Sequence, residues 1–123
     1  KQYRPGPERI IWDLPCGAID KDETPLQAAE RELLEETGYA GDIREIGTCL
    51  EDSYSTKIRH NFVALNCKLI SVPKPDDNEF IEVVLLPLSE FITLLRSGDL
   101  TVVETGYMGL EALGLLSSKI EHQ

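Results

Sequence analysis

The alternation of apolar and polar positions along the chain predicts both strands and helices. Five segments have the alternating or continuous apolar pattern of strands: residues 1–4, 9–14, 43–50, 58–71 and 79–86. A polar loop interrupted by prolines, residues 72–78, precedes the last strand, which we expect to be buried and to end at Pro87. Two helices are predicted after it, over residues 89–96 and 104–118. These elements predict a single α+β or α/β domain over residues 1–123, with helices packed on a mixed sheet.

The most clearly bounded helix lies between Thr24 and Gly38. Thr24 suits the N-cap position, Pro25 suits the first helical position, and Gln27 completes a capping box. Gly38 supplies the left-handed residue at which helices commonly end. Local chemistry therefore predicts both ends of this helix.

Three carboxylates share one face of the last two turns of this helix. A rotation of about 100° per residue brings Glu32, Glu35 and Glu36 within an arc of about 100°. A solvated charged face is the ordinary explanation, but Glu32 and Glu36 repel each other as like charges one turn apart. Glu35 and Glu36 also lie near the helix end at which the macrodipole favours cations. A hard cation, Mg²⁺ or Mn²⁺, would turn these penalties into ligand bonds.

Composition narrows the class of protein without identifying it. The chain has 123 residues, of which 41% are hydrophobic, and 22 acidic against 12 basic side chains give a net charge of −10. This charge disfavours binding to a nucleic-acid polymer, and no apolar run has the length of a membrane span. The three cysteines contain no CxxC pair, which favours reduced thiols in the cytoplasm over a disulfide framework or a zinc site. The sequence starts without Met and within a strand, so we expect a preceding N-terminal segment.

The acids and glycines in and around the helix have a spacing that defines a longer motif than the three carboxylates alone. From Gly17 the chain reads GAIDKDETPLQAAERELLEETGY. It matches Gly-x5-Glu-x7-Arg-Glu-U-x-Glu-Glu-x-Gly-U, in which U is apolar, at every fixed position, with Tyr39 in the last apolar position. Seven fixed residues at about 7% usage each would coincide about once in 10⁸ windows. On this motif the chain resembles the Nudix hydrolases, a family that cleaves a nucleoside diphosphate linked to another group.

The resemblance implies a fold and a metal site. The implied fold is an α/β/α sandwich with a mixed sheet between helices. Glu32 and Glu36 would be the main ligands of the catalytic Mg²⁺, for which Mn²⁺ can substitute. Glu35 would be a further ligand or would hold the attacking water, and the backbone carbonyl of Cys16 would add one more ligand.

The resemblance also gives structural roles to other motif residues. Arg31, counted with the catalytic set, would form with Glu23 the ion pair that ties the loop to the helix. Gly17 and Gly38 would be positions at which the backbone needs the freedom of glycine.

A carboxylate outside the motif is expected to act as general base. The acidic loop at residues 76–79 resembles a segment of ADP-ribose pyrophosphatases in which acids supply a base or a metal ligand. Glu79 is the first choice and Asp77 the second. An ordinary polar turn before a strand is the alternative.

Other segments resemble the ADP-ribose and nucleotide-sugar pyrophosphatase branch of the family: KQYRPG, WDLPCG and NEFIEV. In that branch the arginine that corresponds to Arg4 contacts substrate phosphate or ribose. Trp12 is a candidate aromatic contact, although a strand tryptophan more often packs in a core. Residues 51–57 lack the Pro-Gly turn of the branch, and its N-terminal strands that exchange between subunits are absent, so a substrate loop and a dimer surface can differ here.

The predicted function is a Mg²⁺-dependent, cytoplasmic hydrolysis of ADP-ribose or a related nucleoside diphosphate sugar to a nucleoside monophosphate and a sugar phosphate. Two alternatives stay open: hydrolysis of nucleoside triphosphates or dinucleoside polyphosphates, and nucleotide binding without turnover. The expected partner is a small-molecule nucleotide, with no nucleic-acid polymer and no membrane. A homodimer is left open.

Overall fold

The computed structural model describes residues 1–4, 6–74 and 80–116. Its strands are β1 (Gln2–Arg4), β2 (Arg9–Ile11), β3 (Tyr39–Leu50) and β4 (Ile58–Leu69). Its helices are α1 (Pro25–Thr37), α2 (Leu88–Ser97) and α3 (Val103–Ala112). The α+β content predicted from the sequence is confirmed. Within these ranges, no helix has the length and apolar character needed to cross a membrane.

Strand pairing in the described residues is antiparallel and forms two ribbons. β1 pairs with β2, and β3 pairs with β4 from Tyr39 opposite Leu69 to Leu50 opposite Ile58. Two isolated bridges extend the pairing beyond the ribbons, Gln2 to Ile81 and, in parallel orientation, Trp12 to Leu100. The bridges attach the segments after β4 and before α3 to the N-terminal ribbon.

Both ends of α1 form as the local sequence predicts. The backbone N–H of Gln27 donates to the Thr24 hydroxyl at 3.1 Å, and the Thr24 N–H donates to the Gln27 side chain at 2.9 Å. Gly38 adopts φ 78° and donates its N–H to the Leu34 carbonyl at 2.8 Å. Because β3 begins at the next residue, this cap leads directly from the helix into the long ribbon.

The apolar core lies between α2 and α3. Leu95, Leu100 and Leu110 are buried together, and Trp12 packs against them. Gly106 permits close contact between the two helices, since a Cβ there would lie 2.5 Å from a Leu95 methyl carbon. Burial of each leucine contributes about 1.5–3 kcal/mol, so the core fixes the segment that carries Trp12.

The predicted buried strand over residues 79–86 is wrong for its described part, residues 80–86. Only Ile81 makes a strand bridge, and Phe80 and Leu85 are 82% and 72% exposed. The segment instead runs beside β1, where the Glu82 N–H donates to the Lys1 carbonyl at 2.9 Å. A run of apolar residues does not specify a partner strand, and in the described part of the chain the one strand bridge of this segment is to β1.

The last helix ends earlier than the pattern predicts. α3 stops at Ala112, and the described residues 113–116 that follow are not helical. Gly114 has φ 69°, and the Leu115 N–H donates to the Leu110 carbonyl at 2.8 Å. This left-handed turn closes the helix because its hydrogen bonds satisfy the last carbonyls.

A buried amide fastens α3 to the long ribbon. The Asn61 side chain is 1% exposed, donates to the Gly47 carbonyl at 3.2 Å and accepts from the Thr105 hydroxyl at 2.6 Å. Beside it, Arg59 forms an ion pair with Glu104. These contacts hold the first turn of α3 against both β3 and β4.

We predict that Asn61→Leu lowers the free energy of unfolding by about 2–4 kcal/mol, because the Gly47 carbonyl and the Thr105 hydroxyl lose a buried partner. Thr93→Val is the control, since the Thr93 hydroxyl donates to the Ser89 carbonyl within α2 on an exposed turn. That change should stay within about 0.5 kcal/mol. Urea unfolding measures both variants, and equal effects would contradict the fastening role of Asn61.

Candidate active site

Two carboxylates of α1 lie against the same short piece of backbone, residues 16–17. The Cys16 N–H donates to Glu36 Oε2 at 3.2 Å. At Gly17 an added Cβ would lie 2.2 Å from Glu32 Oε1, so the missing side chain leaves the room that this carboxylate occupies. Glu32 and Glu36 therefore both meet the stretch of backbone that carries the Cys16 carbonyl.

The motif carboxylates differ in exposure. Glu36 is 9% exposed and is, with Asn61, one of two buried polar residues in the described part of the chain. The side chains of Glu32 and Glu35 are 17% and 41% exposed. Burying an ionised carboxylate is costly unless hydrogen bonds or a cation compensate for the lost hydration. The Cys16 N–H supplies one such bond to Glu36.

Arg31 is the hydrogen-bonding centre of the loop that precedes α1. It donates to both oxygens of Glu23, at 2.8 and 3.0 Å, and to the Ala18 carbonyl at 3.0 Å. Its Nη1 donates to Glu32 at 2.8 Å and to Glu35 at 3.3 Å. The motif assigns Arg31 and Glu23 to tie the loop to the helix, and this geometry is suited to that role.

The same contacts shift the pKa of the groups involved. The hydrogen bond from Arg31, followed by the one from the Asp20 N–H, lowers the pKa of Glu23. The bond to Glu23 likewise raises the pKa of Arg31. Both shifts stabilise the charged forms, so the pair stays ionised over the working pH range.

One cavity brings together four of the residues selected from the sequence: Arg4, Trp12, Cys16 and Glu36. Its volume is about 300 Å³, and the apolar side chains of residues 81–85, which exclude Glu82, form a wall with Leu33 and Tyr39. Lys1 Nζ lies 5.0 Å from the centre of the Trp12 ring. The cavity thus has a carboxylate, cationic side chains and an aromatic face around an apolar interior.

The other selected residues lie elsewhere. Glu32, Glu35, Arg31 and Glu23 form a cluster beside the loop and do not line the cavity. Glu79 and Asp77 fall outside the described residues.

Sequence reasoning missed cavity residues that have no motif spacing. Asp13 and Glu82 both line the cavity. Their position in the WDLPCG and NEFIEV segments could have identified them. Asp13 is the one acid of WDLPCG, and Glu82 is the acid of NEFIEV other than the selected Glu79.

The donor atoms of Glu32, Glu36 and the Cys16 backbone suit a hard cation. Carboxylates and a backbone carbonyl are oxygen donors, which Mg²⁺ and Mn²⁺ prefer. No group of three or more His, Cys, Asp or Glu in residues 1–4, 6–74 and 80–116 forms a ready-made metal cage. Mg²⁺ does not require one, because it usually keeps several waters and uses one or two carboxylates together with substrate phosphates. The room at Gly17 gives one of those carboxylates access to the Cys16 backbone.

The Cys16 thiol is a poor metal ligand here. Its desolvation, followed by the nearby charges of Asp13 and Glu36, raises the pKa of the thiol to about 11. The thiol therefore stays protonated near neutral pH, and thiolate is the form that binds metals. This leaves the backbone of Cys16 as its contribution to the site.

The family model for the NUDIX domain matches residues 1–106 of the chain. The chain therefore belongs to the NUDIX domain family, which confirms the resemblance seen in the sequence.

Named relatives refine this assignment. The chain is 37% identical over 102 residues to an ADP-sugar pyrophosphatase of Mus musculus, covering 77% of this chain and 47% of that protein. It is 33% identical over 110 residues to an ADP-ribose pyrophosphatase of Bacillus subtilis, covering 87% and 60%. It is 38% identical over 99 residues to an ADP-ribose pyrophosphatase of Saccharomyces cerevisiae, covering 74% and 42%. The chain thus spans about half the length of these curated relatives.

Gly17→Ala should displace the Glu32 carboxylate and leave the protein folded, because the obstructing atoms are the far end of a flexible side chain. Mn²⁺ affinity, measured by electron paramagnetic resonance titration, should fall about 10-fold or more. Gly6→Ala is the matched control, since a Cβ there meets nothing within 4 Å. Unchanged Mn²⁺ affinity in Gly17→Ala would contradict a role for Glu32 beside this backbone.

Glu23 should stabilise the fold only while it is ionised. Because its pKa is lowered in the folded state, its contribution is present above the unfolded pKa, about 4.3, and is lost as the pH falls through the folded value. The difference in unfolding free energy between wild type and Glu23→Gln should therefore be constant near neutral pH and shrink in acid.

Chemical denaturation at a series of pH values measures this difference. The control repeats the comparison in an Arg31→Gln background, where the pH-dependent part of the difference should become smaller because only the Asp20 N–H remains as a donor to Glu23. A pH dependence of the same size in that background would show that Arg31 is not its main cause.

Proposed function

We propose that the protein hydrolyses the diphosphate bond of ADP-ribose or a related nucleoside diphosphate sugar, giving a nucleoside monophosphate and a sugar phosphate. The observation that carries the proposal is the cavity shared by Glu36, Arg4 and Trp12. It combines a carboxylate suited to a metal ion, a guanidinium suited to phosphate and a ring suited to a base or sugar. The printed names of the three relatives support the same class of substrate.

The metal in this proposal is Mg²⁺, with Mn²⁺ as a substitute. Glu32 and Glu36 would be its main ligands, with Glu35 and the Cys16 carbonyl as further ones. When bound, such a cation offsets the charge of a diphosphate and lowers the pKa of a coordinated water. Hydrogen bonds from Arg31 to Glu32 and Glu35 support the idea that this arginine orients the carboxylates.

The substrate in this proposal enters the cavity with its phosphates toward Arg4 and Glu36. Arg4 is 44% exposed on its side chain, so a phosphate oxygen can reach it from solvent. Trp12 would contact the base or the sugar, and the apolar side chains of residues 81–85 also line the cavity. Proton removal from the attacking water is assigned to Glu79 first and Asp77 second, and Glu35 is the motif residue suited to hold that water.

The proposal extends to the whole molecule. It includes an α/β/α sandwich for the single domain over residues 1–123, a cytoplasmic location and a small-molecule nucleotide as the partner. The net charge of −10 supports the absence of a nucleic-acid polymer among its ligands.

Purified protein should convert ADP-ribose to AMP and ribose 5-phosphate, faster than it converts triphosphates or dinucleotides, and only with Mg²⁺ or Mn²⁺ present. Chromatography of a substrate panel, with and without chelator, measures this. A preference for triphosphates would keep the diphosphate chemistry and reject the substrate. No conversion of any member by folded protein would reject the hydrolase assignment.

Glu36→Gln should lower kcat/KM about 100-fold or more, since it removes a charged ligand at the cavity. Glu30→Gln is the matched control, because Glu30 is an exposed glutamate on the same helix, outside the cavity and at a variable position of the motif. Equal activity in the two variants would contradict the role given to Glu36.

A further inference from the structure

The Asp13 carboxylate joins two distant parts of the chain at the edge of the cavity. One oxygen accepts from the Thr101 hydroxyl at 2.6 Å, and the other accepts from Arg4 Nη2 at 3.2 Å. The Asp13 side chain is only 13% exposed, whereas its partners Arg4 and Thr101 are exposed. Arg4 and Asp13 both line the cavity, whereas Thr101 does not; all three line a second, neighbouring cavity.

Thr101 is itself held by the backbone next to the core. Its N–H donates to the Trp12 carbonyl at 3.1 Å, and the Trp12 N–H donates to the Asp99 carbonyl at 3.1 Å. Leu100 between them is 6% exposed and belongs to the buried cluster. The hydroxyl that reaches Asp13 therefore projects from a fixed position.

Arg4 is restrained on a second side. The Gln2 amide, with its oxygen turned toward Arg4, accepts from Arg4 Nε at 3.0 Å. Asp13 accepts a hydrogen bond from Arg4 Nη2, whereas Arg4 Nη1 has no hydrogen bond within the described part of the chain. Two of the three guanidinium nitrogens are thus fixed and the third is left for a ligand.

We propose that Asp13 and Thr101 are positioning residues that orient the Arg4 guanidinium for an anionic phosphoryl oxygen at the cavity mouth. The identity of the substrate in this proposal rests on the proposed function, whereas the anion site itself does not. Asp13 offsets part of the positive charge of Arg4, which weakens its general attraction for anions. In exchange the planar guanidinium is oriented before binding, so less side-chain freedom is lost when a phosphate arrives.

The first experiment measures binding of inorganic pyrophosphate by calorimetry, without turnover. Thr101→Val, which removes the hydroxyl and keeps the shape, should raise Kd about fivefold or more. Thr101→Ser keeps the hydroxyl and should stay within about twofold. Thr93→Val is the control, because that threonine is on the exposed side of α2, away from the cavity. An unchanged Kd in Thr101→Val, or no binding by wild type, overturns the proposal.

A double-mutant cycle separates positioning from a general structural effect. In an Arg4→Gln background the Thr101→Val change should add nothing, because the side chain that it positions is absent. A full effect in that background overturns the proposal. Circular dichroism confirms that each variant is folded.

Kinetics then separate this proposal from the proposed function. With a nucleoside diphosphate sugar, Thr101→Val should raise KM about fivefold or more while kcat stays within about twofold, as expected for loss of uniform binding. Turnover by wild type with an unchanged KM in Thr101→Val rejects the positioning role alone. Pyrophosphate binding that follows the expected series, without turnover of any nucleotide, rejects the proposed function and leaves the positioning role supported.

Discussion

The structure around the site depends on one arginine that holds several carboxylates together. Arg31 donates to Glu23, Glu32 and Glu35 and to a loop carbonyl, so its guanidinium balances charges that would otherwise repel one another. Glu32 and Glu35 lie on the last turns of a helix whose dipole disfavours negative charge there. The arginine lowers this penalty and at the same time fixes the loop before α1. The same loop begins at residues 16–17, which lie against Glu32 and Glu36 of the helix.

A second constraint is steric and comes from the backbone itself. Gly17 admits the Glu32 carboxylate, and the Cys16 N–H binds Glu36, so two acids of one helix face the same peptide units. Glu36 is buried and opens onto the cavity, whereas Glu32 lies in the cluster around Arg31. The helix therefore places Glu36 in a largely closed environment and Glu32 in one that solvent can reach. Two acids in different environments suit a cation that binds several flexible oxygen ligands better than a cation that needs a rigid set of thiolates.

The cavity connects this charged region to the apolar core. Trp12 packs against the core leucines and also lines the cavity, and its backbone accepts the hydrogen bond that fixes Thr101. Arg4 comes from the short β1 strand, which the bridge to Ile81 holds beside the apolar wall. The proposed substrate contact of Trp12 and its packing against the core thus belong to the same peptide segment. A change that loosens the core near Trp12 is expected to alter ligand binding as well as stability.

What the sequence alone determined is local: both caps of α1, the spacing that brings Glu32, Glu35 and Glu36 to one face, and family membership through the motif. These features depend on residues within a few turns of each other, so propensity and hydrogen-bonding chemistry specify them. The tertiary structure decided that residues 80–86 lack strand partners beyond one bridge, that α3 ends at Ala112, and that Arg4, Trp12 and Glu36 share a cavity. It also brought the Thr101 hydroxyl to Asp13, 88 positions away in sequence. Such contacts follow from how elements pack, and packing depends on the whole set of buried surfaces, which no short window of sequence contains.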